Sequence, residues 1–401
     1  MLAQAVILCG GLGTRLGDLT RETPKPLLPV GDRPFLEQLI QEIARFGVTE
    51  IVLLAGRFGD KVSAAFAGRR LWGASIRVLV EPMPLGTGGA LKFAEDLLDE
   101  VFFVLNGDSW VDADLVEVAL HWTLSERQCP GLAGQMLLRD VPDARRYGSV
   151  IHENDRVRGF SEKREGGVPA PGLVNAGVYI LRKSLIASLE SGRDISLERD
   201  VFPGLARDGR IMGHVCSANS FFIDIGVPDD YARAQSEVPA ARTRAALFFD
   251  RGATLIRCEI DAQGLEAIEW APGAREAVAK ANRAGRLVFL MGGPTGAVSE
   301  QDGAASLDAA VQANLFEIGA HVDAFGSWGD HKVGARAGRD GNSPRPDGIA
   351  ALLASWPVDR ERSLAIGANE SDLAAARSAG LRSVLHDGRD LAELVTTFIA
   401  D

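Results

Sequence analysis

Asp108 and Asp224 each close an apolar run, Val101-Phe102-Phe103-Val104-Leu105 before Asn106-Gly107-Asp108 and Phe221-Phe222-Ile223 before Asp224. Such runs read as buried strands, and a carboxylate at the carboxyl end of a parallel strand sits on the edge where these sheets bind ligands. Either acid could equally cap the turn that follows it. Upstream, Cys9-Gly10-Gly11-Leu12-Gly13-Thr14-Arg15-Leu16 follows the apolar run Ala5-Val6-Ile7-Leu8. Glycines after a strand let backbone N–H groups close on phosphate oxygens, and Arg15 adds a planar fork of donors. Lys25 stands between Pro24 and Pro26, which keep it out of a helix and present a fixed cation. The chemistry these residues suit is the handling of a phosphorylated ligand.

Two glycine-rich alternatives fail on their own terms. A Walker loop ends in Gly-Lys-Ser/Thr, whereas Gly13 is followed by Thr14-Arg15. A dinucleotide fingerprint from Gly11 needs a glycine at Leu16 and an acid ending the next strand, yet Ile51-Val52-Leu53-Leu54 ends in Ala55-Gly56. Taken alone, the loop also fits an ordinary glycine-rich turn.

The positioning elements alternate. Asp32-Arg33-Pro34 opens a helix carrying Phe35, Leu36, Leu39, Ile40 and Ile43, closed by Gly47. Strands at Ile51–Leu54, Ile76–Val80 and Val101–Leu105 alternate with helices around Lys61–Phe66 and Ala90–Leu98. This rhythm predicts an α/β fold with a mainly parallel sheet covered on both faces. From Gly131 to Leu181 short extended runs at Gly148–Ile151, Val157–Phe160 and Gly177–Leu181 suggest mixed strands forming a lid or floor over a pocket. Helical runs follow at Ser184–Leu189 and Leu197–Leu205, and a linker is expected at Ser236–Arg242, around Pro239. A second series from Ala245 has strands at Ala246–Phe249, Leu287–Leu290, His321–Phe325, Leu364–Ile366 and Val384–Leu385, with helices between them.

At 401 residues two domains are expected, 1–236 and 244–401. Apolar content of 46% with 24% charged residues describes a soluble globular chain. A net charge of -11 argues against a nucleic-acid surface, while phosphorylated ligands need only a local cluster such as Arg15 and Lys25. Cys9, Cys129, Cys216 and Cys258 show no spacing for a metal or a disulfide framework. No signal peptide and no membrane-length apolar run is read, so the expectation is a cytoplasmic protein without membrane partners. A homo-oligomer is compatible with this pattern.

Together Gly-Gly-Leu-Gly-Thr-Arg-Leu and Pro-Lys-Pro-Leu resemble the signature of the sugar-1-phosphate nucleotidyltransferases. The resemblance implies a Rossmann-like, GT-A-like mixed sheet for the N-terminal domain. It also implies attack of a sugar-1-phosphate on the α-phosphorus of a nucleoside triphosphate, with loss of pyrophosphate. It assigns Gly10, Gly11, Gly13, Thr14 and Arg15 to the nucleotide, with Lys25 a further catalytic cation. The stretch Glu81-Pro82-Met83-Pro84-Leu85-Gly86-Thr87-Gly88-Gly89-Ala90 is similar to the second nucleotide loop, giving Glu81, Gly86, Thr87 and Gly88 roles at base and ribose. Asp108 and Asp224 take the positions that bind Mg2+. Lys163 falls on the sugar phosphate, Glu162 on sugar hydroxyls and Asn175 on the sugar, although Arg164 replaces the usual proline. Taken alone, Glu162-Lys163 reads as a solvated pair.

The heptose- and mannose-1-phosphate guanylyltransferases are the most similar subgroup, through Phe103–Asp108, Ser196–Asp200 and Phe222–Tyr231. They imply GTP as donor; a uridylyl or thymidylyl transferase is the alternative. Hexapeptide repeats are absent, so no β-helix tail is expected.

The second half, from Ala246-Leu247-Phe248-Phe249-Asp250, resembles the haloacid dehalogenase superfamily, especially histidinol-phosphate and heptose-bisphosphate phosphatases. Asp250 matches the nucleophile, but the acid position is Gly252, which cannot transfer a proton. The phosphate-holding hydroxyl is replaced by Met291, and Asn342-Ser343-Pro344 lacks the expected lysine, with Arg345 or Lys332 as partial substitutes. The metal-site Gly-Asp reads Gly367-Ala368, with Asp372 a helical turn too late. The expectation is a Rossmann-like phosphatase fold without phosphatase activity; a working bifunctional enzyme is the alternative.

Overall fold

The computed structural model describes residues 2–11, 13–144, 149–161, 170–217, 220–261, 264–292, 302–326 and 348–400. Contacts group the chain into two units, one of Leu2–Ala44 and Val48–Pro239, the other of Arg45–Gly47 and the chain from Ala240.

The first unit begins with β1 (Gln4–Leu8), the short pair β2 (Pro29–Val30) and β3 (Arg33–Pro34), α1 (Phe35–Ala44) and β4 (Glu50–Ala55). It continues through α2 (Gly59–Phe66), β5 (Arg70–Leu71), β6 (Ala74–Val80), α3 (Gly86–Phe93) and β7 (Val101–Asn106). Then come β8 (Ser109–Val111), α4 (Leu115–Gln128), β9 (Gly134–Val141), β10 (Ser149–Glu153), β11 (Arg156–Ser161) and β12 (Gly172–Arg182). The unit closes with α5 (Lys183–Ala187), α6 (Phe202–Arg207), β13 (Ile211–Val215), β14 (Phe222–Asp224) and α7 (Pro228–Arg242).

Ten strands form one sheet in the order β10-β11-β13-β9-β12-β7-β1-β4-β6-β5. Its centre, β7-β1-β4-β6, is parallel. Ala5, Val6, Ile7, Val52, Leu54, Phe102 and Val104 are fully buried there, as continuous apolar runs must be when helices cover both faces. The chain steps from β1 to β4 and β6 on one side and returns to β7 on the other. The carboxyl ends of β1 and β7 therefore flank a topological switch point, the usual ligand crevice of such sheets.

The mixed strands expected between Gly131 and Leu181 continue the same sheet, because β12 pairs antiparallel with β7 on one side and β9 on the other. One expectation is corrected. The linker at Ser236–Arg242 is helical: α7 runs through Pro239, whose ring sacrifices one backbone bond without ending the helix. Sequence reading also passed over α4 and β13. The start of α4 carried a legible signal, since Asp114 Oδ1 accepts from the amides of Val116 and Glu117 at 2.8 and 3.3 Å.

The second unit holds β15 (Arg244–Asp250), a hairpin of β16 (Ile256–Asp261) and β17 (Gly264–Trp270), α8 (Ala274–Arg283), β18 (Leu287–Met291), α9 (Asp302–Phe316) and β19 (Ala324–Gly326). It ends with α10 (Ile349–Ser355), β20 (Val358–Gly367), α11 (Glu370–Ser378), β21 (Arg382–Leu385) and α12 (Leu391–Ala400). The order β19-β18-β15-β20-β21 is parallel throughout. Leu247, Phe249, Val278, Val288, Ile366 and Val395 form its core. Among the described residues no helix is long and apolar enough to cross a membrane.

Candidate functional site

The loop after β1 lies in contact with the loops after its neighbours. Gly107 donates to the Leu8 carbonyl at 3.0 Å and Cys9 to the Leu54 carbonyl at 2.7 Å. A Cβ on Gly10 would meet Glu81 Oε1 at 2.7 Å, and one on Gly56 would meet the Gly10 carbonyl at 2.8 Å, so side chains are excluded by close approach. Gly13 is in the left-handed region, at φ 63°, where its carbonyl accepts from Thr20 Oγ1 at 2.9 Å. Thr20 is buried and pins the turn, leaving Gly11, Thr14 and Arg15 exposed above it. Burial, then Asp108 and Glu81, push the Cys9 thiol well up, so it stays protonated among acids.

Lys25 is buried and its ammonium bridges the two carboxylates: Nζ donates to Asp108 Oδ2 at 2.6 Å and to Asp224 Oδ1 at 3.2 Å. The acids meet because β8 and β14, which directly follow Asp108 and end in Asp224, pair antiparallel with Asp224 opposite Ser109. Ile225 donates to the Asp108 carbonyl at 3.0 Å, Ser109 Oγ to Asp108 Oδ1 at 3.1 Å and the Gly226 amide to Asp224 Oδ1 at 2.8 Å. A Cβ on Gly226 would stand 2.8 Å from Asp224 Oδ1 and 2.9 Å from Lys25 Nζ. Burial and the Asp108 carboxylate push the Asp224 carboxyl up, against Lys25 and the Gly226 amide. Two converging carboxylates offer hard oxygen ligands, and a divalent cation answers their mutual repulsion. No group of three or more His, Cys, Asp or Glu residues able to hold a metal occurs among the described residues.

Glu81 follows β6. Burial raises its carboxyl pKa, opposed by the Leu85 amide, which donates to Oε2 at 3.2 Å. The glycines of Gly86-Thr87-Gly88-Gly89 also serve the protein's own packing. Gly88 and Gly89 donate to the Ile195 carbonyl at 2.7 and 3.2 Å, and a Cβ on Gly86 would stand 2.6 Å from that oxygen. Thr87 Oγ1 accepts from the Leu197 amide at 2.8 Å and donates to Glu198 Oε2 at 2.9 Å.

On the other flank, β12 bulges against β9 between Asn175 and Tyr179, with Gly177 at φ 75° packed on Asn106. Asn175 Oδ1 accepts from the Gly177 amide at 2.9 Å and its Nδ2 donates to Tyr179 Oη at 2.6 Å. Glu162 and Lys163 lie outside the described residues. Glu198 and Tyr179 were given no role by sequence reading; Glu198 was visible only as part of Ser196–Asp200.

In the second unit Asp250 ends β15 and Met291 ends β18, opposite each other in register and both buried. The Gly252 amide approaches Asp250 Oδ1 at 3.4 Å, Ala368 directly follows β20 and Asp372 lies in α11. Arg251 pairs with Asp308 at 3.1 Å, and its guanidinium leaves no room for a Cβ on Gly292, 2.9 Å away. Lys332, Pro344 and Arg345 lie outside the described residues.

A glycine loop, a fixed lysine and paired carboxylates at the switch point of an α/β sheet define a phosphate-handling α/β protein. The family model described as Nucleotidyl transferase matches residues 4–241. The chain belongs to this nucleotidyl transferase family and is a nucleotidyltransferase. It is 34% identical over 229 residues to the D-glycero-alpha-D-manno-heptose 1-phosphate guanylyltransferase of Campylobacter jejuni, covering 57% of this chain and 96% of that one. It is 37% identical over 238 residues to the mannose-1-phosphate guanylyltransferase of Mycobacterium tuberculosis, 58% of this chain, and spans 64% of that relative's length. Among solved structures, HddC from Yersinia pseudotuberculosis superposes with a TM-score of 0.51 at 30% identity, covering 59% of this chain and all of that one. HddC has also been solved complexed with GMP-PN, with the same TM-score of 0.51.

Proposed function

We propose that the first unit transfers GMP from GTP to a heptose- or mannose-type sugar-1-phosphate, releasing pyrophosphate. The observation that carries this reading is the convergence of Lys25, Asp108 and Asp224 on one point at the carboxyl edge of β1 and β7. The sugar phosphate oxygen attacks the α-phosphorus and the bond to the β-phosphate oxygen breaks. The backbone of Gly10, Gly11, Gly13 and Thr14, with the exposed Arg15 fork, cradles the leaving pyrophosphate. Asp108 and Asp224 would hold Mg2+, which neutralises charge on the reacting phosphates. Lys25 fixes the two carboxylates and adds a cation beside them. Lys163 takes the sugar phosphate, Glu162 takes sugar hydroxyls and Asn175 contacts the sugar.

Glu81 supports the choice of guanine. Guanine presents two adjacent donors, N1–H and the 2-amino group, and a carboxylate can accept both. Uracil and thymine present one N–H between two carbonyls, which a carboxylate repels. Pyrophosphate release from four nucleoside triphosphates crossed with a panel of sugar-1-phosphates tests the reading. GTP with a heptose or mannose phosphate should turn over fastest; turnover only with UTP or dTTP overturns it.

For the second unit, 244–401 beside a transferase domain of 1–236, we propose a haloacid dehalogenase-like fold without phosphatase activity. Its support is Asp250 at the end of the central parallel strand, beside Gly252, Met291 and Ala368, none of which can donate a proton, hold phosphate or bind Mg2+ through a side chain.

A further inference from the structure

Besides the residues assigned above, one carboxylate lies between the two ligand flanks. Ser196, before the turn Leu197–Val201, accepts from the Arg199 amide through Oγ at 3.2 Å, while its own amide donates to Asp200 at 2.8 Å. Leu197 is fully buried, so the backbone carrying Glu198 is anchored at both sides. Glu198 Oε2 accepts from Thr87 Oγ1 at 2.9 Å and from Ser196 Oγ at 3.0 Å. Its other oxygen lies 3.4 Å from the Tyr179 hydroxyl, which accepts from Asn175 Nδ2 at 2.6 Å. The segment is also joined to the second nucleotide loop by backbone: Ile195 donates to the Leu85 carbonyl at 2.9 Å and accepts from Gly88.

Every bond in this relay has one polarity. Thr87 and Ser196 donate to one oxygen of Glu198, so Tyr179 must donate to the other, because a carboxylate only accepts. Tyr179 is fully buried, and burial together with Glu198 holds its phenol protonated, so the donor is always present. Having donated, Tyr179 accepts from Asn175, and Asn175 Oδ1 is fixed in turn by the Gly177 amide. The Gly177 amide sets which way the Asn175 amide faces, and Glu198, by taking the Tyr179 hydroxyl proton, leaves the phenol oxygen free to accept from Asn175 Nδ2 and steadies it there.

We infer that Glu198 is a positioning residue for sugar selection, steadying the Asn175 amide through Tyr179 while tied to the nucleotide loop through Thr87. This rests on the sugar-1-phosphate reading above. Glu198→Gln keeps shape but reverses polarity. Its carboxamide oxygen must face Thr87 and Ser196, leaving an N–H pointed at Tyr179, whose oxygen already receives Asn175. Tyr179→Phe breaks the same relay one step nearer the sugar and leaves the Thr87 bond intact.

The test is steady-state kinetics of the full chain with the best substrate pair from the panel. Each single variant should raise KM for the sugar-1-phosphate about tenfold, with kcat and KM for the nucleotide within about twofold of wild type. The double variant should be no worse than either single, as expected of one pathway. Thermal melts within a few degrees of wild type exclude loss of fold as the cause. Unchanged sugar KM, equal rises in both KM values, or additive effects in the double variant overturn the inference. A wild type that uses another nucleotide overturns only the guanine choice, and the same KM split is then read on that pair; a wild type that turns over no pair overturns both.

Discussion

Asp224 is held above the ordinary carboxylate range by burial and by Asp108, and Lys25 is the cation that relieves the pair. Asp108→Asn or Asp224→Asn keeps the volume but removes one of two charges, and is expected to lower kcat by about a hundred- to a thousandfold with little change in melting temperature. Near-normal kcat for Asp108→Asn in magnesium would remove the metal assignment. Gly226→Ala should behave similarly at smaller cost, since its methyl would press within 3 Å of both Asp224 and Lys25. A crystal structure of that variant with both side chains unmoved would contradict it. Glu81→Gln should shift preference from GTP toward UTP or dTTP, read as the ratio of kcat/KM values. These acids and Lys25 were legible because each stands out locally: a carboxylate ending an apolar run, or a lysine between prolines. Glu198 was not, because its partners Thr87 and Tyr179 lie 111 and 19 residues away and nothing in their spacing marks them.

The parallel centre of the first sheet was legible from continuous apolar strands, because burial on both faces leaves a composition signal. The outer strands were harder, since β9 to β13 change direction and partner by long-range pairing rather than by local pattern. That outer part holds three histidines on three elements: His121 on α4, His152 on β10 and His214 on β13. The His121 and His214 rings lie 4.6 Å apart, His152 Nε2 is 3.1 Å from the Gly213 carbonyl, and Glu117 is 3.9 Å from His214. Burial, then His121, lower the His214 pKa from its ordinary 6.5 to about 4, with Asp155 opposing and His152 reinforcing. Between those values the unfolded chain binds a proton that the folded chain does not, so stability falls as pH drops from 6.5 toward 4. The loss should be on the order of 1–2 kcal/mol after allowance for partial exposure. Urea unfolding of the first unit's transition at pH 7 and pH 5 measures it. If His214→Gln leaves the difference between the two pH values as large as before, the histidine is not its source.

Two α/β units share one chain, and among the described residues only the first combines a glycine loop, a cation and converging carboxylates. In the second, the position two residues after Asp250 is Gly252, which has no side chain to transfer a proton, and the neighbouring Arg251 is committed to Asp308. The full chain should therefore release no phosphate from sugar bisphosphates or an aryl phosphate in magnesium. Release that vanishes in Asp250→Asn would contradict this. Pro239 shows why the boundary was harder to read than the units: a proline disrupts one helical bond, and α7 tolerates that loss. The central claim concerns the first unit, and label transfer tests it most directly. GTP labelled at the α-phosphate is incubated with mannose-1-phosphate or a heptose-1-phosphate, magnesium and the full chain. Label is expected to appear in a GDP-sugar with one equivalent of pyrophosphate, and to disappear in Asp108→Asn; label that never leaves GTP for either sugar would contradict the claim.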